Sequence, residues 1–294
     1  MEYIFQLIVS GLLEGGLYSL LALGFVLVYK ATRIINFATG QLLLVGAFIC
    51  WVFISIFGLL LGLAFGITGS IILAVIVEKM TIRPLIGQPL IAVIMMTIAL
   101  SVLFDGVIIS LWTGVGAKVY PTYISREPFQ YGDFMISRQL VFSFSAAAFF
   151  FGMFYLYFKH TRMGLRMRAV AENQQAAQAC GIEVKRVFRM VWIFAFLIGT
   201  IGGFLVGSMV GVQPVMTTIG LKVFPVVILG GLESIIGCLI AGPIVGIAVS
   251  LGVGYLGPIL GISGLDEIIP YLVIFIVLFI KPYGLFGETR IERV

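Results

Sequence analysis

Long apolar runs separated by short polar intervals occupy almost the whole chain. The runs cover about Ile4–Tyr29, Leu42–Phe57, Leu59–Val77, Leu90–Thr113, Leu140–Phe158, Met190–Gly211, Ile219–Leu232, Ile235–Leu256 and Ile268–Ile280. A helix needs about 20 apolar residues to cross the hydrocarbon core of a bilayer. The pattern therefore predicts an all-α polytopic membrane bundle with about eight to ten spans, built as a single transmembrane domain over residues 1–294.

Three polar or proline-containing interruptions predict broken or re-entrant segments. Residues 31–41 (ATRIINFATGQ) are too polar to face lipid, Gln213-Pro214 ends one run, and Pro225 interrupts another. Non-helical backbone at membrane depth is tolerated only where protein or a water-filled cavity covers it. Three side chains beside these breaks are therefore candidates for a translocation path, or alternatively for helix caps: Asn36, Gln41 and Gln213.

The longest polar interval, residues 160–189, is strongly basic. It carries Arg162, Arg166, Arg168, Lys185, Arg186 and Arg189 against Glu172 and Glu183. Loops rich in Lys and Arg stay in the cytoplasm, and the C-terminal end, with Lys281, Arg290 and Arg293, is expected there too. If residues 219–232 cross the membrane, both basic regions face the same side, which gives about nine crossings and an external N-terminus; eight or ten crossings remain open.

The basic interval also has a helical pattern. Met163, Met167, Val170, Gln174 and Ala177 fall on one face of a helix. Gly181 then stands where a left-handed helix cap is expected, followed by an apolar residue. This predicts a short amphipathic helix with a defined end. It could lie among the lipid headgroups or serve as a docking helix for a cytoplasmic protein.

Composition agrees with a membrane protein. The chain is 61% hydrophobic and 11% charged, whereas soluble domains are about 45–50% apolar and about 25% charged. The net charge of +5 lies mainly in loops, without the interleaved aromatic residues of a nucleic-acid surface. Three scattered cysteines and one histidine provide no metal-ligand spacing, and the chain lacks G-x-S-x-G and H-E-x-x-H motifs. We therefore predict neither a catalytic nor a metal site.

Two carboxylates lie inside apolar runs, Glu14 and Asp105. A charge near the centre of a membrane helix costs about 2.5–3.5 kcal/mol on insertion scales, so each side chain must face protein or water. Each is either a carboxylate of the translocation path or a hydrogen-bonded structural acid between helices.

Four stretches resemble one known family, in the same order. MRAVAENQQAAQACGIEVKRV is similar to the cytoplasmic coupling loop of ABC-importer permeases, most closely those for branched-chain (hydrophobic) amino acids. GLLEGGLYSLLALGFVLVYKATRIINFATGQ, GLKVFPVVILGGLESIIGCLIAGPIVG and FIKPYGLFG resemble other parts of the same family. In length the chain is closer to the smaller of that family's two permeases. It departs from the pattern in NFATGQ, which is uncharged where the family often has a more polar or acidic pair, at Thr39 and Gln41.

The resemblance implies a permease subunit of an ATP-binding-cassette importer in a prokaryotic inner membrane, with the loop at 160–189 and the C-terminus cytoplasmic. It implies four kinds of partner besides lipid: a second permease, two ATPase subunits that bind ATP and Mg²⁺, and an external solute-binding protein. The chain needs no cofactor of its own, since it has no G-x-x-x-x-G-K-[ST] phosphate loop. Contact with the ATPase would fall on Arg166, Arg168, Glu172, Ala177 and Gly181. Alternatives are a urea or short-amide permease of the same family, or an ion-coupled secondary transporter acting alone.

Overall fold

The chain folds almost entirely into helices, which confirms the predicted all-α class. The computed structural model describes residues 2–112, 114, 116–121, 123, 127–131, 134–261 and 264–287. The longer helices are α1 (Glu2–Thr32), α2 (Thr39–Phe57), α3 (Leu59–Val77), α4 (Leu90–Leu111), α5 (Arg138–His160), α8 (Val184–Val210), α11 (Ile235–Leu251) and α13 (Leu265–Ile280). The shorter ones are α6 (Arg162–Glu172), α7 (Gln174–Ala179), α9 (Met216–Leu221), α10 (Val223–Gly230) and α12 (Gly257–Leu260). Strands β1 (Phe129–Tyr131) and β2 (Phe134–Ile136) form one antiparallel hairpin.

Within the described residues, seven helices are long and apolar enough to cross a membrane. The two other predicted crossings correspond to shorter elements, residues 216–230 and α13. The number of crossings and the external N-terminus stay predictions. Arg290 and Arg293, on which the orientation of the C-terminal end partly rested, lie outside the described residues.

Two compact units make up the chain. The first unit contains residues 1–26, 124–149 and 222–294, and the second contains residues 27–123 and 150–221. Helices α1 and α5 each contribute to both units.

Helix α2 is the centre of the second unit, where it packs against α8, α3, α9 and α4. A Cβ atom at Gly46 would collide with Cα of Thr200 on α8, and one at Gly203 would collide with the carbonyl oxygen of Leu43. Lipid tails are as apolar as leucine, so helices in a membrane associate through close van der Waals packing at small residues. The glycines therefore set the distance between α2 and α8.

Tyr120 closes one end of this packing. Its side chain is buried, and its hydroxyl donates a hydrogen bond of 2.8 Å to the carbonyl oxygen of Ala47. Burial raises the pKa of the Tyr120 hydroxyl well above its usual value.

The first unit uses the same device between α1 and α11. Gly11 lies against the backbone of Gly246, and Gly15 lies against the backbone of Gly242. Ser19, one turn further along α1, donates from its hydroxyl to the carbonyl oxygens of Gly15 and Leu239, at 3.1 and 3.3 Å. The contact is thus both close-packed and hydrogen-bonded.

The end of α10 is completed by the segment that follows α13. The amide of Leu285 donates to the carbonyl oxygen of Leu229 at 2.8 Å, and that of Phe286 donates to Gly230 at 3.2 Å. The last carbonyls of a helix have no partner within the helix, so this segment satisfies two of them. Gly231, with φ of 99°, turns the chain away beside Gly287. The segment 230–234 (GGLES) therefore packs on the segment 281–287 (KPYGLFG).

Two predicted boundaries are wrong, and both errors involve buried charge. The apolar run predicted over Leu59–Val77 does not end the helix at Val77, since α3 continues through a π-helical turn (Glu78–Ile82) and a 3-10 turn (Arg83–Leu85). Glu78 does not end the helix because its carboxylate is fully buried and paired with arginine. The run at 219–232 is divided between α9 and α10 by Lys222, which is also buried and paired.

We expect Gly46→Val to destabilise the protein by about 1–3 kcal/mol, the usual effect of overpacking a close contact. The added side chain has to displace the backbone of α8 at Thr200. Gly152→Val on α5 is the matched control, since a Cβ atom there meets nothing within 4 Å. Thermal unfolding in detergent measures the difference. Equal melting temperatures for the two variants would contradict the role given to Gly46.

Candidate functional site

The basic segment, defined here as residues 161–183, consists of α6 and α7 rather than one amphipathic helix. The single predicted helix is wrong because Asn173 interrupts it. Asn173 adopts an extended backbone, with φ of −153°, and its Oδ1 accepts a hydrogen bond of 3.0 Å from the amide of Ala176. Asparagine is a preferred N-cap residue, so it starts α7 at the point where α6 ends.

Both ends of the basic segment are capped. The Thr161 hydroxyl accepts a hydrogen bond of 3.0 Å from the amide of Gly164 at the start of α6. After α7, Gly181 adopts the left-handed conformation (φ 77°), and the amide of Ile182 donates to the carbonyl oxygen of Ala177 at 3.0 Å. The amide of Gly181 also donates to the carbonyl oxygen of Gln178 at 2.9 Å. The two bonds form a Schellman cap, so the predicted helix end at Gly181 is confirmed.

The predicted apolar face of the basic segment points inwards. Met167, Val170 and Ala177 are buried, whereas Arg166 and Glu172 are exposed. The segment therefore rests on the bundle with a charged surface outwards. Of the five predicted coupling residues, Arg166, Glu172 and Gly181 are exposed and Ala177 belongs to the supporting face.

Arg168 has a structural partner. Its guanidinium donates to the carbonyl oxygen of Phe158 and, at 3.4 Å, to that of Lys159, and it lies 5.5 Å from the centre of the Phe158 ring. A cation at a helix C-terminus satisfies the last carbonyls and interacts favourably with the helix dipole. Arg168 thus caps α5, and it fixes α6 to the end of that helix.

The break between α1 and α2 is organised around Asn36, which is 1% exposed. Its Oδ1 accepts a hydrogen bond of 3.1 Å from the amide of Ala38, and its carbonyl oxygen accepts one of 2.7 Å from the Thr39 hydroxyl. Its Nδ2 is buried without a hydrogen-bond partner in the described structure. Arg33, three residues before Asn36, adopts a left-handed backbone, with φ of 60°. Asn36 therefore serves as a cap and also carries an unsatisfied donor.

Helix α4 is hydrogen-bonded to this break at two levels. Gln41 donates from Nε2 to Oδ2 of Asp105 at 3.0 Å. Two turns earlier on α4, the buried Thr97 hydroxyl accepts from the amide of Phe37 at 3.4 Å and contacts the carbonyl oxygen of Ile35 at 3.3 Å. The structure thus brings together the predicted Asn36 region, Gln41 and Asp105, and adds Thr97, which the sequence analysis missed.

Gln213 has a local hydrogen bond. Its Nε2 donates to the carbonyl oxygen of Val210 at 3.4 Å, at the end of α8. This is the geometry of the helix-cap alternative considered for this residue.

Glu14 belongs to the first unit, which also contains a buried cation. Lys222, 8% exposed, pairs with Asp266 through Nζ and Oδ2 at 2.8 Å. Lys222 was missed in the sequence analysis, although a lone lysine within the apolar run 219–232 is a visible signal for a paired intramembrane charge.

Among the described residues, no group of three or more His, Cys, Asp or Glu side chains is placed to hold a metal ion. The side chains assembled at the α1–α2 break are one carboxylate, two amides and hydroxyl groups. Such groups can hydrogen-bond a polar solute or water, and they border an unwound stretch of backbone. This arrangement is typical of solute paths in transporters with discontinuous helices.

Comparison with known proteins gives matches along nearly the whole chain. A family model described as branched-chain amino acid transport system, permease component, matches residues 7–280. The high-affinity branched-chain amino acid transport system permease protein LivH of Escherichia coli K12 is 26% identical, over 99% of this chain and 98% of LivH. BraD of Pseudomonas aeruginosa, with the same description, is 24% identical over 98% and 97%. A probable LivH of Methanocaldococcus jannaschii is 28% identical over 96% and 92%.

Proposed function

Since this chain belongs to the family of permease components of branched-chain amino acid transport systems, we propose how its parts divide the work of transport. It is a membrane-spanning permease subunit of an ATP-binding-cassette importer for branched-chain or related hydrophobic amino acids. This role accounts for the apolar spans with breaks between them and for the capped basic segment. We therefore prefer this role to that of an ion-coupled secondary transporter acting alone.

The chain works with other subunits. We infer a second permease, two cytoplasmic ATPase subunits that bind ATP and Mg²⁺, and an external solute-binding protein. The sequence contains no phosphate-binding loop, so the energy of ATP has to come from another polypeptide. The membrane is the inner membrane of a prokaryotic cell, with the basic segment on the cytoplasmic side.

The basic segment is the site where an ATPase subunit docks. One observation carries this assignment: the segment buries its apolar face on the bundle and presents Arg166 and Glu172 to solvent. A helix that lies in the headgroup layer would turn its apolar side to lipid instead. Because Arg168 ties α6 to α5, displacement of the segment is passed to a membrane span.

The break between α1 and α2 is the part of the chain assigned to the translocation path. Asn36 keeps an unsatisfied buried donor there, and Gln41 and Asp105 are only partly buried. Helix ends and freed backbone groups at such breaks face the substrate in transporters. Glu14 with Lys222 is a second candidate within the first unit, and Gln213 is better explained as a helix cap.

The assembly is tested by affinity purification of the tagged chain from native membranes in mild detergent, followed by mass spectrometry. We expect an ATPase subunit and a second permease to be recovered, and ATP-dependent uptake of leucine after reconstitution of that assembly in vesicles. Uptake by the isolated chain without any ATPase would contradict the proposal.

We expect Arg166→Glu and Glu172→Arg to lower leucine uptake by the assembly while insertion and thermal stability are preserved. Exposed substitutions usually change stability by less than about 0.5 kcal/mol, so the loss would report on the docked partner. Lys281→Glu, at an exposed lysine outside the basic segment, is the charge-matched control. Arg168→Glu should in addition lower the melting temperature, because it removes the cap of α5. Normal uptake by the first two variants would contradict this prediction.

To test the proposed translocation path, we replace Asp105, and we expect Asp105→Asn to reduce leucine uptake about tenfold, equivalent to about 1.4 kcal/mol. The asparagine can still accept the hydrogen bond from Gln41, so the substitution isolates the effect of the carboxylate charge. Ser110→Ala, which removes only a bond to the carbonyl oxygen of Gly106 on the same helix, is the control. Equal uptake by both variants would mean that Asp105 is a structural acid.

A further inference from the structure

A carboxylate is completely buried at the end of α3, where the helix changes type. Glu78 is 0% exposed and accepts two hydrogen bonds from Arg83, Nε to Oε1 at 3.1 Å and Nη2 to Oε2 at 2.8 Å. Bidentate pairs between arginine and a carboxylate are strong and fix the geometry of both groups. The π-helical turn that starts at Glu78 makes the pair possible, because it places Arg83 five residues later over the same carboxylate.

A second arginine reaches Glu78 from another helix. Nε of Arg189, on α8, lies 3.7 Å from Oε2 of Glu78. Helix α8 begins at Val184, directly after the cap at Gly181 that ends the basic segment. Arg189 is therefore in the second turn of the helix that the basic segment leads into.

Arg83, Glu78 and Arg189 thus form one ion cluster between the end of α3 and the start of α8, and all three residues belong to the second unit.

The packing of α3 shows what this ion cluster can hold in place. One side of the helix is exposed along its length, including Leu61, Phe65 and Ile72. Its other side packs on α2, where Gly62 and Gly66 approach the backbone of Ile54 and Cys50. Apolar helix surfaces at small residues can slide past one another, whereas a buried ion pair holds one register.

We propose that Glu78 is a positioning residue that makes α3 follow α8 when the basic segment moves. This inference rests on the proposed docking of an ATPase subunit at the basic segment. Arg83 belongs to the same segment as Glu78 and moves with it, so Arg189 is the cation that joins α3 to α8. Separation of Arg189 from Glu78 would remove one of the two cations beside a buried carboxylate, which is unfavourable. Displacement of α8 therefore moves α3 with it, and the movement reaches the packing of α3 on α2.

The test uses the assembled transporter in vesicles, with leucine as the probe, and measures uptake and ATP hydrolysis in the same preparation. Glu78→Gln keeps the shape of the side chain and one acceptor oxygen, but it removes the charge and one of the two acceptors used by Arg83. We expect leucine taken up per ATP hydrolysed to fall about 2- to 30-fold, the range seen for substitutions within coupling networks. The rate of hydrolysis should stay close to that of the unaltered assembly.

Arg189 supplies a second variant that does not depend on a fully buried side chain, since 41% of it is exposed. Arg189→Gln should lower the same ratio, and Arg189→Lys, which keeps the cation, should restore much of it. Arg186→Gln is the matched control on the same helix: Arg186 pairs with Glu183 at 3.1 Å, and both side chains are more than half exposed. Exposed pairs of this kind contribute little, so the control should behave as the unaltered chain.

Two outcomes would overturn the proposal. One is an unchanged ratio in Arg189→Gln, whether or not Glu78→Gln folds. The other is a parallel fall of uptake and hydrolysis together with a lower melting temperature, which would indicate a purely structural role. If the unaltered chain takes up leucine without ATPase subunits, the docking assignment fails instead, and that result is distinguishable from both.

Discussion

The constraint on which the rest of the structure depends is that polar groups within an apolar bundle must find partners inside the protein. Hydrocarbon offers no hydrogen bonds, so irregular backbone at membrane depth persists only where other protein groups satisfy it. At the α1–α2 break those groups come from Asn36 and Thr39 and, across the bundle, from Thr97 of α4. At the end of α10 they come from the backbone of residues 285 and 286. Each irregular stretch is therefore stabilised by hydrogen bonds to a specific neighbouring segment.

The basic segment is likewise ordered by contacts with the rest of the protein. Its helices are short, and isolated helices of that length are marginal in water. They are ordered by capping at Thr161, Asn173 and Gly181, and by the buried face at Met167 and Val170. Arg168 fixes one end to α5, and at the other end only a few residues separate α7 from α8. A segment fixed at both ends passes displacement to its spans instead of absorbing it.

Hydropathy was sufficient to predict where most spans lie, because span length is set by the bilayer and the apolar runs are long. It failed where a charge is buried in a pair, since pairing joins residues that are distant along the chain. Glu78 looked like the end of a span, and Lys222 was overlooked inside a run. The sequence also singled out Gln41 and Asp105, but their hydrogen bond joins positions 64 residues apart.

Thr97 carried no signal in the sequence, because a threonine in an apolar helix normally bonds to its own backbone. Asn173 did carry a signal in the sequence, because asparagine is preferred at the first position before a helix. The apolar face that continues across Asn173 favoured a single helix instead.

Buried charge and irregular helix geometry occur together at two places in this chain, and the coincidence has a physical cause. Glu78 opens a π-helical turn, and Lys222 stands between α9 and α10. On a regular helix a charged side chain meets partners of the same helix only three or four residues away, and any other partner must come from another element. A break changes the direction in which side chains project, so Arg83 can reach Glu78 five residues away and Lys222 can reach Asp266. The attraction and the hydrogen bonds of the pair offset part of the desolvation cost of the buried charge. A pair between two elements, such as Lys222 with Asp266 or Arg189 with Glu78, also ties those elements together, so a change in helix arrangement must either carry both partners or separate them.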